Sequence, residues 1–188
     1  MEFETTLGTG YNFMGLLMKW FIILFGSLIF IFISWSSFAL YSSKSDHLFF
    51  IERSKNRKIV QYDVRLTEND DILESDPVSV YWVLENGTRQ DLSQIQRRFA
   101  YGIDSYKKLE KNRLRVFFVA LKGREVTLEK SESSFRAITS INGKPGVLER
   151  VYVESRERWT GLPQVIYVDL FGRDKETGSP VSERMVPK

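Results

Sequence analysis

From Trp20 to Leu40 the chain reads WFIILFGSLIFIFISWSSFAL, without a single charged residue. At about 1.5 Å rise per residue, a helix of that length covers roughly 30 Å, the thickness of a bilayer's hydrocarbon core. Lipid offers the backbone no hydrogen-bond partners, so such a segment must be helical wherever it enters the membrane. The rest of the chain is then a body delivered to, or across, that membrane.

Two fates of this run stay open, a cleaved signal peptide and a retained transmembrane anchor. A start at Met18 opens on Lys19, passes through the apolar stretch and reaches Ser37-Phe38-Ala39, a small-x-small triplet suited to signal peptidase. A start at Met1 adds Glu2 and Glu4 with no basic residue before Lys19, and the apolar part is longer than the about 7 to 15 residues of a usual signal core. Charge bias disagrees with export. Lys44, Arg53, Lys55, Arg57 and Lys58 come after the run against Lys19 alone before it, although a whole folded domain translocates largely regardless of such charges. The expected location is the cell envelope: periplasmic or secreted if cut after Ala39, and a single-pass membrane protein held through residues 20–40 otherwise.

Residues 1–43 therefore read as a tail with a signal or anchor, and 44–188 as a single β-rich domain long enough to bury its own core. The full-chain charge of +3 becomes +4 once Glu2, Glu4 and Lys19 are set aside, a mild basic excess without the strength of a nucleic-acid footprint. There is no cysteine, which removes disulfides, thiolate metal sites and a cysteine nucleophile.

Period-two alternation and turn chemistry dominate this body. His47–Arg53 and Lys58–Leu66 flank Lys55-Asn56-Arg57 as a hairpin, with Val60, Tyr62, Val64 and Leu66 on the face to be buried. Val78–Leu84 ends at Asn86-Gly87. One helix is expected next, capped by Asp91 with Gln94 in a capping-box relation, striped by Leu92, Ile95 and Phe99, and closed by Gly102 in the left-handed region. Arg113–Leu121 and Arg124–Lys130 join through Lys122-Gly123, and Phe135–Ile141 meets Val147–Ser155 through Asn142–Gly146. Gln164–Phe171 reads as the last strand, and Gly172–Lys188 as a polar tail whose end is loosely held. About eight strands with one short helix predict a mainly β fold, an antiparallel sandwich or a partly open barrel.

The chemistry of the sequence is mostly exclusion. His47 is the only histidine, so a multi-imidazole metal site cannot form and any Ser-His-Asp triad must use it. Nucleotide, phosphate-loop and acyl-serine motifs do not occur, and no cofactor is implied. Glu68, Asp70, Asp71, Glu74 and Asp76 crowd one loop without Ca²⁺-loop spacing, which reads as a solvated acidic loop. Lys107, Lys108, Lys111, Arg113 and Arg115 form a basic run close to Arg97, Arg98 and Tyr101, a candidate site for anionic lipid heads or envelope polymers. The same run also reads as a charged strand edge that deters sheet-to-sheet pairing. Asp63, Asp104, Glu149, Glu154 and Asp169 are the strand carboxylates a polymer hydrolase would need in pairs. Trp82, Trp159 and Tyr167 would line a sugar or lipid groove if exposed, though aromatics in strands more often fill a core.

The stretches HLFFIERSKNRKIVQYDVRL, DPVSVYWVLENG, DLSQIQRRFAYGI and VIYVDLFGRDKETGSPVSERMVP resemble the bacterial proteins of domain-of-unknown-function family 4833, over about residues 46–187. The resemblance implies a single bacterial domain, often behind an export signal, and brings no assigned activity or functional residue. The sequence thus points to an exported or membrane-anchored envelope domain that binds a small molecule, lipid or protein partner without catalysis. The alternatives are a carboxylate-dependent hydrolase of envelope polymers and a structural accessory subunit of a membrane complex.

Overall fold

Along β2 (Asn56–Arg65) apolar and polar residues alternate, and Val60, Tyr62 and Val64 turn inward with no exposure at all. A computed structural model describes residues 44–54, 56–157 and 163–186. The Trp20–Leu40 run, the turn residue Lys55 and Trp159 lie outside these, and no helix among the described residues is long and apolar enough to cross a membrane.

Over the described residues the protein is mainly β, a curled and open half-barrel with one short helix. The strands are β1 (Ser45–Arg53), β2, β3 (Val78–Val83), β4 (Arg89–Asp91), β5 (Ile103–Glu110), β6 (Arg113–Phe118), β7 (Glu125–Ser131), β8 (Ser134–Ile141), β9 (Lys144–Glu157), β10 (Pro163–Asp174) and β11 (Pro180–Met185). Nine of them follow one path, β4-β3-β2-β1-β9-β8-β7-β6-β5, and β10 and β11 continue from the other side of β9.

The curl originates at β9. Its neighbour β10 runs antiparallel to it from Gly146 to Glu157, occupying one edge for nearly its whole length. A strand has only two hydrogen-bonding edges, so β8 and β1 must share the other in tandem: β8 pairs with Lys144–Val147, and β1, in parallel, with Arg150–Val153. Two wings, β1–β4 and β8–β5, therefore diverge from one spine with the core between them. Phe49 stacks on Tyr62 within one wing at 4.4 Å, and Phe118 of the other wing meets both rings edge-on at 5.4 and 5.2 Å. The sheet is continuous, so of the two expected architectures the open, barrel-like one is observed.

Eleven strands form among the described residues where about eight are expected. β5 is polar on both faces, and in β11 Pro180 and the charged residues resemble a tail; Pro180–Met185 of that polar tail pairs along β10 from Val168 to Arg173, and the tail's last two residues lie outside the described ones. The Asn142-Gly143 turn, with φ of 51° and 78°, closes the β8–β9 hairpin as a two-residue turn of the kind that matches strand twist.

The helix departs from its sequence pattern in four ways. Ser93, not Asp91, is the N-cap: its hydroxyl accepts from the Gln96 amide and the Gln96 side chain accepts from the Ser93 amide. One turn, α1 (Gln94–Gln96), then widens into a π-helical turn (Arg97–Tyr101). Gly102 comes next at φ −71°, outside the left-handed region; a glycine is needed because a Cβ would collide with the Arg97 carbonyl oxygen that the Gly102 amide bonds. Finally, only Leu92 of the apolar stripe is buried, while Ile95 and Phe99 face outward.

Candidate functional site

Each residue of the basic run has a definite place. Lys107 and Lys108 lie on β5, an outer strand of the sheet, Lys111 is in the β5–β6 turn, and Arg113 and Arg115 lie on β6. The acidic loop runs beside them. Lys108 pairs with Glu74 at 2.6 Å, Lys111 with Asp71 at 3.2 Å and Arg115 with Glu125 at 2.8 Å, while Arg113 sits 3.8 Å from Glu110 and 4.0 Å from Glu129. Lys44 pairs with Asp70, and Arg65 with Asp76.

Asn112 locks this contact: its carbonyl oxygen accepts from the Ile72 amide at 2.9 Å and its amide donates to Asp71 at 2.7 Å. Hydrogen bonds from Lys44 hold Asp70, and from Asn112 hold Asp71, below the ordinary carboxylate range. The two clusters that the sequence presents separately thus meet through Lys108–Glu74 and Lys111–Asp71, and most of their other members pair with charges outside both. Such exposed pairs contribute little stability one by one, yet they occupy most of the cations a ligand would use.

Arg97, Arg98 and Tyr101 are separate from that contact. Tyr101 turns inward: its ring meets Trp82 at 5.3 Å, and its carbonyl oxygen accepts from the buried Tyr62 hydroxyl at 2.8 Å. Trp82 itself is core. Arg97 and Arg98 are exposed and form no ion pair among the described residues. They flank a groove of about 360 Å³ whose other walls are Asp76, Val78, Val80, Gln94, Gly102 and Ile103. Asp76 being engaged by Arg65, the groove offers two guanidinium groups beside an apolar floor, a combination suited to an anionic head with an apolar tail.

The outer surface of the β1–β3 wing holds the sole histidine. His47 Nδ1 lies 3.2 Å from the Asp63 carboxylate, which also accepts from Gln61 at 3.0 Å and Tyr81 at 2.5 Å. Burial pushes Asp63 up, but the hydrogen bonds from His47, Tyr81 and Gln61 outweigh it and hold the carboxyl below its ordinary value. Burial, and then the bond to Asp63, push the Tyr81 phenol up to about 12. Ser79 sits across from Asp63 in the β2–β3 register, and Arg89 donates to its hydroxyl at 3.0 Å. The order is His-Asp-Ser with the carboxylate in the middle, whereas nucleophilic catalysis needs the imidazole there. This is a structural network.

The other candidate carboxylates are similarly engaged. Asp169 takes both arms of Arg184 at 2.7 Å, and those bonds hold it below the usual range. Glu149 meets Arg173 at 2.9 Å and Glu154 accepts from Tyr152 at 2.8 Å, while Asp104 is simply exposed. Tyr167 is half-buried beneath the Arg184 guanidinium, 3.9 Å from its ring centre. No group of three or more metal-ligating side chains gathers among the described residues.

The fold and this surface define a class: a cysteine-free, curled β domain with ion-paired flanks and an apolar-floored groove edged by Arg97 and Arg98. The chain belongs to the family described as Domain of unknown function (DUF4833), whose model matches residues 49–184. No curated protein and no solved structure matches it.

Proposed function

We propose that the protein is an exported or membrane-anchored envelope domain that binds rather than catalyses, and that the groove beside the helical turn receives an anionic amphiphile. The observation that carries this reading is the pair Arg97 and Arg98, free of ion-pair partners among the described residues, beside Val78, Val80 and Ile103. In this reading the guanidiniums take the phosphate of a lipid head and the floor takes the start of its chain. The charge-free Trp20–Leu40 run supplies the membrane, as a signal that exports the body or an anchor that keeps it there. Lys107, Lys108, Lys111, Arg113 and Arg115 serve as a secondary basic field, weakened by the carboxylate partners of the last four. A hydrolase reading has less support, because Asp63 and Asp169 are held low and a general acid needs a carboxyl held high.

The test is titration of the full chain in nonionic detergent with soluble dihexanoyl phosphatidylglycerol and dihexanoyl phosphatidylcholine. Tighter binding of the glycerol headgroup, lost by tenfold or more in the Arg97→Glu, Arg98→Glu double variant, is expected. Equal affinity for both lipids, or an unchanged double variant, would overturn the reading.

A further inference from the structure

Ile95 and Phe99 are four residues apart on the helical turn, and they are 73% and 70% exposed. Among the described residues the other large exposed apolar ones, Tyr106, Val165 and Val186, are scattered singly. Two bulky apolar groups on one turn, interleaved with Arg97 and Arg98, have the composition of a surface that partitions into a bilayer interface.

The path of the chain gives this turn its position. The Lys44 carbonyl oxygen accepts from the Leu66 amide, and the neighbouring Arg65 amide donates to the Pro77 carbonyl oxygen. Lys44 and Pro77 therefore flank the end of β2, about 10 Å apart at the ordinary strand spacing. Asp76, next to Pro77, shares the groove with Arg97 and Arg98. The helical turn thus lies toward the end of the body at which the chain enters it. Between Leu40, the last residue of the uncharged run, and Lys44 only Tyr41, Ser42 and Ser43 intervene, a reach of at most about 14 Å.

We propose that Ile95 and Phe99 insert into the interface of an anionic leaflet, with Arg97 and Arg98 on its phosphates. The inference rests on the membrane reading of Trp20–Leu40 and deepens the proposed function. Of the charges flanking the turn in sequence, Arg89, Arg97 and Arg98 outnumber the exposed Asp91 and Asp104. Of the acids near the chain entry, Asp70, Asp71, Glu74 and Asp76 each have a basic partner already, and Glu68 is exposed.

The absence of cysteine provides a clean test, since Phe99→Cys and Ile95→Cys each create one labelling site. A control at Glu85→Cys places the label in the turn after β3, at the opposite end of that strand. The full chain is reconstituted into vesicles containing phosphatidylglycerol, spin-labelled, and probed by collision with oxygen and with a water-soluble nickel chelate. Labels at 99 and 95 are expected to favour oxygen, and the label at 85 the nickel chelate. Free access of nickel to both 95 and 99 would show a solvated turn and overturn the proposal. Exclusion of both reagents would also overturn it, because a second copy or a protein partner would then cover the turn. Failure of dihexanoyl phosphatidylglycerol to bind, with the oxygen preference intact, would sink the groove reading alone.

Discussion

The Tyr62 hydroxyl donates to the Tyr101 carbonyl oxygen at 2.8 Å, so the innermost side chain of β2 holds the end of the helical turn. Burial pushes the Tyr62 phenol well above its ordinary value, which keeps it a donor. Tyr62→Phe retains the ring stack on Phe49 but leaves a carbonyl oxygen unpaired. The expected loss is about 1–3 kcal/mol in urea unfolding, with faster amide exchange concentrated at residues 97–102. Uniformly faster exchange across all strands would show that the bond does not specifically hold the turn.

The two wings meet through Phe118, and no comparable packing supports Phe99. Phe118→Ala should cost about 3–5 kcal/mol, whereas Phe99→Ala should stay within about 0.5 kcal/mol of the parent. Denaturant midpoints of the two variants, measured side by side, check both halves. A destabilised Phe99→Ala would mean that its ring packs inside the body.

Stability should fall in acid through Asp63. Its folded pKa lies below its unfolded value of about 3.9, so its contribution is present above that value and disappears as pH falls through the folded one. Asp63→Asn should flatten the decline below about pH 4 without abolishing it. Asp70, Asp71, Asp169, Asp174 and Glu183 are also held low and act in the same direction. Thermal midpoints from about pH 7 to about pH 3 give the comparison; identical slopes would remove Asp63 from the account.

Asn112 has a φ of 58° and makes both bonds to the acidic loop, so its backbone and side-chain roles can be separated. Asn112→Gly keeps the left-handed turn and loses the bonds. It should raise Ile72 amide exchange markedly at a stability cost of about 1 kcal/mol, while Asn112→Ala adds backbone strain and costs more. Equal exchange at Ile72 in all three proteins would contradict that role.

How much of the fold the sequence made legible depends on the range of the interactions. The alternation of Val60, Tyr62 and Val64, and the Asn142-Gly143 turn, are local signals, and both were readable because the physics acts over a few residues. Asp91 and Gln94 offer the spacing of a capping box two residues early; the box that forms is Ser93 with Gln96. The basic run and the acidic loop were both visible, but the Lys108–Glu74 and Asn112–Asp71 contacts span 34 and 41 residues, and only the fold joins them. The groove was half legible: Arg97 and Arg98 stood out, whereas Val78, Val80 and Ile103 come from other strands. The exposure of Ile95 and Phe99 contradicted their helical stripe, since the chain widens into a π turn and seats Leu92 alone.

The central claim is that the helical turn and its groove meet an anionic membrane surface. Amide exchange of the full chain in nanodiscs of phosphatidylglycerol, against nanodiscs of phosphatidylcholine, tests it directly. The account predicts slower exchange at residues 93–102 in the anionic discs, with β6–β8 and β9–β11 unchanged. Identical exchange at 93–102 in both, or protection confined to the β9–β11 face, would contradict it.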